Sequence, residues 1–133
     1  MDGPVRRARV NAPGGAYDVI VGAGTLPMAA EMRGLLERDV SAMIVNETVL
    51  GLHGAYIRSC FDGLGDFRTY VMPDGEEHKS YLHAERAFDW MLASGISRRS
   101  TVVGIGGGVT GDFSGFLAAL FMRGISVLHV PTT

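Results

Sequence analysis

The stretch Thr101-Val102-Val103-Gly104-Ile105-Gly106-Gly107-Gly108-Val109-Thr110-Gly111-Asp112 decides the fold. Thr101 to Ile105 is mostly β-branched, which predicts a strand, and it runs straight into a glycine triplet. Beyond the glycines, Phe113, Phe116, Leu117 and Leu120 recur at helical spacing. Strand, glycine turn and helix in that order are the building unit of a parallel α/β sheet. Gly106, Gly108 and Gly111 also satisfy G-x-G-x-x-G in the required setting. Glycines there let the chain turn tightly and let a pyrophosphate come close, where free helix amides and the helix dipole favour negative charge. The acidic residue usually found about 20 positions on, for a ribose hydroxyl, is missing, because Val127 to Val130 reads as a strand. A turn needed only for close helix–strand packing remains an alternative. Asp112, in the first helical turn, either complements the helix dipole or accepts hydrogen bonds from a neutral part of a cofactor.

Outward from this core, short apolar runs alternate with helical patterns. Ala8 to Asn11 and Tyr17 to Val21 flank Pro13-Gly14-Gly15, predicting two strands and a turn. Thr25 and Pro27 predict a helix running to about Arg38. Ala42 to Val45 suits a strand buried on both faces, followed by a helical stretch from Val49 to Cys60. Phe67 to Met72 reads as a strand closed by the turn Pro73-Asp74-Gly75. Tyr81, Ala84, Phe88, Met91 and Leu92 share one helix face, and that helix stops near Ser94-Gly95. Val127 to Val130 reads as a last, central strand. The expected fold is therefore α/β and Rossmann-like, a mostly parallel sheet with helices on both faces. The chain stops directly after that strand without a closing helix, so it is expected to be part of something longer.

Composition bounds the function. With 133 residues, one domain is expected, and 12 Lys+Arg against 14 Asp+Glu give no electrostatic reason for a nucleic-acid partner. The single cysteine, Cys60, excludes an internal disulfide. The longest apolar stretch, Phe116 to Met122, is far below the roughly 20 residues needed to cross a bilayer. No secretory signal follows the N-terminal arginines, so a soluble, cytoplasmic protein is expected. Glycine, at 19 residues, is about twice its usual share of roughly 7%.

Three further motifs carry chemistry. In Pro73-Asp74-Gly75-Glu76-Glu77-His78-Lys79-Ser80, a carboxylate and an ammonium a few residues apart suit ribose hydroxyls and phosphate; a solvated turn with a charged helix start is the plainer reading. Arg123, in Met122-Arg123-Gly124, either offsets a helix C-terminus or binds an anionic substrate. Pro131-Thr132-Thr133 presents hydroxyls at the carboxyl edge of the sheet. His53, His78, His83 and His129 lie in separate predicted elements without metal-binding spacing, and no set of three metal ligands is expected.

Together these segments resemble the N-terminal part of the 3-dehydroquinate synthases, within the sugar-phosphate cyclase family. The resemblance rests on Pro73-Asp74-Gly75-Glu76 with Lys79-Ser80, Gly106 to Val109 with Gly111-Asp112, Met122-Arg123-Gly124 and Val130 to Thr133, in that order and spacing. Tyr17 to Gly24 is similar to the family's first hairpin, and Val45-Asn46-Glu47-Thr48 to its adenosine-side strand end. The resemblance spans about residues 8–133 and implies an N-terminal NAD-binding domain over residues 1–133. It implies that Asp74, Gly75, Glu76, Glu77, His78, Lys79, Gly107, Gly108, Val109, Thr110, Gly111, Asp112, Thr132 and Thr133 contact NAD, with Asn46 and Thr48 on the adenosine side. Arg123 matches a substrate-binding arginine. The implied enzyme is a lyase of the shikimate route to aromatic amino acids, converting the keto sugar-acid phosphate DAHP to 3-dehydroquinate and phosphate. It uses NAD as a catalyst with a divalent metal, zinc or cobalt, and works as a homodimer when full length. The helical C-terminal domain that holds the metal is absent from this chain, so no catalytic residue is expected here. Secondary-metabolism cyclases and metal-dependent alcohol or glycerol dehydrogenases are the alternatives.

Overall fold

In the computed structural model, which describes residues 3–133, Pro13-Gly14 turns the chain between two antiparallel strands. These are β1 (Arg6–Ala12) and β2 (Gly15–Val21), paired with Ala12 opposite Gly15. Gly15 takes φ +131°, a conformation that side chains resist. The helix expected from Thr25 to Arg38 is shorter and tighter. Leu26–Met32 forms 3-10 turns, and only Arg33–Leu36 (α1) is α-helical. Thr25 does not cap it, because its hydroxyl instead donates to the Gly22 carbonyl at 3.2 Å. Pro27, in the first turn, fits the start of either helix type and does not set the tighter form.

The remaining elements alternate as the sequence predicts. β3 (Ser41–Asn46), α2 (Glu47–Phe61), β4 (Phe67–Met72), α3 (Tyr81–Ala93), β5 (Thr101–Gly106), α4 (Gly108–Leu120) and β6 (Ser126–Pro131) follow in turn. The four later strands form one parallel sheet in the order β4-β3-β5-β6. Every residue of β5, and all of β3 but Asn46, is buried, as runs of apolar and β-branched residues in the middle of a parallel sheet require.

The strand order places the site. From β3 the chain moves outward to β4, whereas from β5 it moves the opposite way to β6. Right-handed crossovers then put the intervening helices on opposite faces. Ile57 and Phe61 of α2 pack with Met43, Val45, Val103 and Ile105 on one face. Ala84, Ala87 and Met91 of α3, with Phe113 and Leu117 of α4, pack with Ala42, Ile44 and Val102 on the other. At their carboxyl ends β3 and β5 therefore diverge around a crevice, the usual ligand position in such sheets.

Three expectations need correction. Tyr81 and Leu92 lie off the buried face of α3, which is carried by Ala84, Ala87 and Met91. Leu120 of α4 is exposed, as the buried stripe turns to Ala118. β6 is an edge strand among the described residues, pairing with β5 alone, and its alternating half-buried pattern follows from that position.

Candidate cofactor-binding site

Each strand of the sheet ends in a segment that the sequence singles out, and parallel pairing brings all four to one edge. After β5, Gly107 caps α4 through its backbone only, with φ −79° and no side-chain hydrogen bond. The Gly111 amide donates to the Gly107 carbonyl at 2.9 Å, so that turn is closed. The amides of Gly108, Val109 and Thr110 precede the first such bond and point out of the helix, where its dipole favours an anion.

The three glycines differ in what they permit. A Cβ on Gly106 would meet Thr110 Oγ1 at 2.6 Å, and Thr110 is buried, so Gly106 is needed for packing. At Gly107 the added atom would lie 3.2 Å from Thr133. At Gly108 nothing stands within 4 Å. None of the three has positive φ, so the loop needs glycine here for space rather than for conformation. The two readings of the motif fall on different residues: Gly106 serves helix packing, and Gly108 opens onto a cleft.

Two adjoining clefts flank the turn. One, of about 320 Å³, lies between Asn46 and Thr48 after β3, Asp74 and Gly75 after β4, and Thr132 and Thr133 after β6. The other, of about 410 Å³, runs along Gly111, Asp112 and Gly115 of α4 beneath His129 and Pro131 of β6. Gly107, Gly108 and Thr133 line both. Thr132 is fixed beside the glycine turn by its amide, which donates to the Gly106 carbonyl at 2.9 Å. Thr110 turns its side chain into the protein, so it offers the cleft its amide and not its hydroxyl.

Asp74 ties the first two strand ends together. Its carboxylate accepts from the Asn46 side-chain amide and from Thr48 Oγ1 at 2.5 Å, while its own amide donates to Glu47 Oε1 at 3.0 Å. Thr48, and after it Asn46, hold the Asp74 carboxyl below the usual carboxylate range. Asn46 also caps α2, its side-chain oxygen accepting from the Val49 amide at 3.0 Å. The same amide group thus starts a helix and positions a loop.

Lys79 joins the second motif to the first. Its Nζ lies 3.1 Å from Asp112 Oδ2 and 3.4 Å from Glu76 Oε1. Asp112, then Glu76, push its ammonium above the ordinary lysine range. The exposed pair contributes little stability; its effect is to set a cation against Asp112, which lines the larger cleft. Gly75, at φ +111°, makes the bend that precedes it, and a Cβ there would collide with the Glu77 carboxylate.

Glu76, Glu77, His78 and Lys79 of the expected set stand outside the lining of both clefts, and Lys79 meets it only through Asp112. Arg123 is further away. α4 has 13 residues and runs back along the sheet, so at 1.5 Å per residue its far end lies about 20 Å from the glycine turn. Arg123 sits there, three residues before β6 begins opposite Thr101. It does not join the clefts of its own chain. Sequence reading missed Glu47, whose place in the first turn after a strand was a usable signal, and His129, on a strand that gave none. It also separated His78 from His83, whose rings meet with Nδ1 and Nε2 at 3.0 Å. Among the described residues no three His, Cys, Asp or Glu side chains converge as a metal site, and no helix is long and apolar enough to cross a membrane.

The family model described as 3-dehydroquinate synthase N-terminal matches residues 69–133. The 3-dehydroquinate synthase of Roseobacter denitrificans is 41% identical over 128 residues, covering 94% of this chain and 34% of that protein. The chain thus spans about a third of the length of the curated relatives it matches. Among solved structures, 2-deoxy-scyllo-inosose synthase complexed with carbaglucose-6-phosphate, NAD+ and Co2+ superposes with a TM-score of 0.83 at 26% identity, over 96% of this chain and 35% of that one. The 2-epi-5-epi-valiolone synthase of Streptomyces hygroscopicus, with NAD+ and Zn2+ bound, gives 0.75 at 28% identity, over 88% of this chain and 32% of that one.

Proposed function

We propose that this chain belongs to the 3-dehydroquinate synthase family and is the NAD-binding part of a 3-dehydroquinate synthase. The observation that carries the reading is the meeting of four motif segments around Gly108, whose open side faces the clefts. The full enzyme is a lyase acting on DAHP to give 3-dehydroquinate and phosphate, in the shikimate route. It is a cytoplasmic homodimer. Identity of 41% to a curated relative, against 26% and 28% to cyclases of other names, favours DAHP over another sugar phosphate.

The site fits NAD. The space beside Gly108 accepts a pyrophosphate, and the free amides of residues 108–110 donate to its oxygens. Lys79 adds a positive charge, and its pairing with Asp112 removes the repulsion that carboxylate would otherwise exert. Asp74, Asn46 and Thr48 present polar atoms to the adenosine end, while Thr132 and Thr133 line the opposite wall. When bound, NAD accepts a hydride from a substrate alcohol and returns it within the same turnover.

The divalent ion, zinc or cobalt, is assigned to a helical C-terminal domain, in keeping with relatives about three times as long as this chain. The groups that move protons belong there as well. Arg123, which matches a substrate-binding arginine, stands at the far end of α4, away from the clefts of its own chain.

Calorimetric titration of NAD+ into the chain tests the cofactor reading. The parent is expected to bind, and Gly108→Val to lose binding while keeping its fold, since its side chain enters open space. Equal affinity in a folded variant would remove the glycine turn from the cofactor site.

A further inference from the structure

His78 and His83 form a contact that neither the motif nor the cofactor site accounts for. His78 ends the 3-10 turn Glu76–His78, and His83 lies in the first turn of α3. Their rings stand edge to face, 4.8 Å between centroids. His83 Nδ1 is 2.7 Å from Ser80 Oγ, and Ser80 caps α3. His78 Nε2 has Glu77 Oε1 at 3.8 Å. A single chain of donors satisfies every contact. The Ser80 hydroxyl donates to His83 Nδ1, and His83 Nε2–H donates to His78 Nδ1. His78 Nε2–H then faces the Glu77 carboxylate. Lys79 lies between the two histidines in sequence, and its Nζ makes the bond to Asp112.

We propose that His83 is a positioning residue, clasping His78 from α3 so that the Gly75–Lys79 turn presents Lys79 to Asp112 and to the cofactor. The proposal rests on the NAD reading of the cleft for its functional consequence, but the clasp itself does not. Two imidazoles share a hydrogen bond only while one of the facing nitrogens lacks a proton. The pair therefore survives one added proton, because either ring can turn donor. It does not survive two, when two N–H groups oppose each other. The charged groups around it are Glu77 beside His78, Glu76 and Lys79 on the turn, Asp112 on α4, and Arg86 one turn further along α3. None of them changes the requirement for a bare nitrogen between the rings.

The test compares the parent with His83→Ala and His83→Gln by amide hydrogen exchange and by NAD+ titration at pH 8 and at pH 5, the interval over which histidine side chains charge. The His78 and Lys79 amides bond to the Gly75 and Glu76 carbonyls within the turn, so their exchange reports its order. At pH 8, His83→Ala should exchange these two amides about fivefold faster and bind NAD+ about fivefold more weakly, as expected for losing one hydrogen bond. His83→Gln keeps a side-chain N–H and should restore both. The parent should lose protection at these two amides on going to pH 5, while His83→Ala changes little. Unchanged exchange in His83→Ala, or an equal response to pH in parent and variant, would overturn the proposal. Faster exchange in His83→Ala, in a parent that binds no NAD+ at any pH, would support the clasp and refute the cofactor reading.

Discussion

At the scale of single residues, Gly106 and Gly108 are two glycines of one motif with opposite duties. Gly106→Ala puts a methyl 2.6 Å from Thr110, which is buried in the first turn of α4 and has no room to retreat. The expected cost is about 1–3 kcal/mol, as for overpacked cores, read as a lower midpoint in chemical denaturation. Gly108→Ala should leave that midpoint unchanged. Asp74 governs the acid limit of the site. Its carboxyl is held below the ordinary carboxylate range by Thr48 and Asn46. A depressed folded value means that the contribution is present above the ordinary carboxylate range and lost as pH falls through the folded value. NAD+ affinity should therefore be level with pH through the neutral range and fall only below the ordinary carboxylate range, a drop that Asp74→Ala abolishes by being weak throughout. Lys79 shifts the other way, so its contribution persists up to the lysine range and is lost only above it. The glycine motif was legible as a strand-to-helix turn because its context was. Its division of labour was not, because spacing along the chain says nothing about the side chain that a Cβ would strike.

Among the elements, α2 carries the clearest double role. Asn46 accepts from the Val49 amide and donates to Asp74, so one residue sets both the helix start and the loop. Asn46→Ala should destabilise the chain by about 1 kcal/mol, the usual worth of a helix cap, and weaken NAD+ binding as well. Asn46→Ser restores the cap without reaching Asp74, so thermal unfolding should recover while the affinity stays low. The regular strands and helices from Ser41 onward were readable because their apolar periods agree with their burial. The segment after Thr25 was not, since Pro27 promises a helix start without deciding between α and 3-10 geometry. The His78–His83 contact was invisible for a related reason. It joins a turn to a helix through side chains whose separation in sequence, five residues, matches no helical period.

For the whole molecule, four strand ends line the two clefts, and no metal centre is found among the described residues. The chain alone, given DAHP, NAD+ and zinc or cobalt, should release no phosphate above background. Release near the rate of a full-length synthase would refute its reading as the cofactor-binding part. Val71, Leu120, Met122 and Val127 are exposed, and β6 has a free edge among the described residues. Concentrated solutions should accordingly self-associate, which sedimentation at several concentrations reads directly.

The order of strands also dictates when this cleft can come into being during folding. β3 and β5 lie side by side, yet residues 42–45 pair with residues 102–105, about sixty positions apart. Closing so long a loop is slow compared with forming any of the helices, whose contacts are local. Asn46, Asp74 and the glycine turn thus become neighbours only after the most distant pairing in the sheet is made. A nucleotide has nothing to grip in an early, helix-rich state. It acts on the finished sheet alone, slowing its unfolding and leaving its assembly to proceed at the pace of the chain.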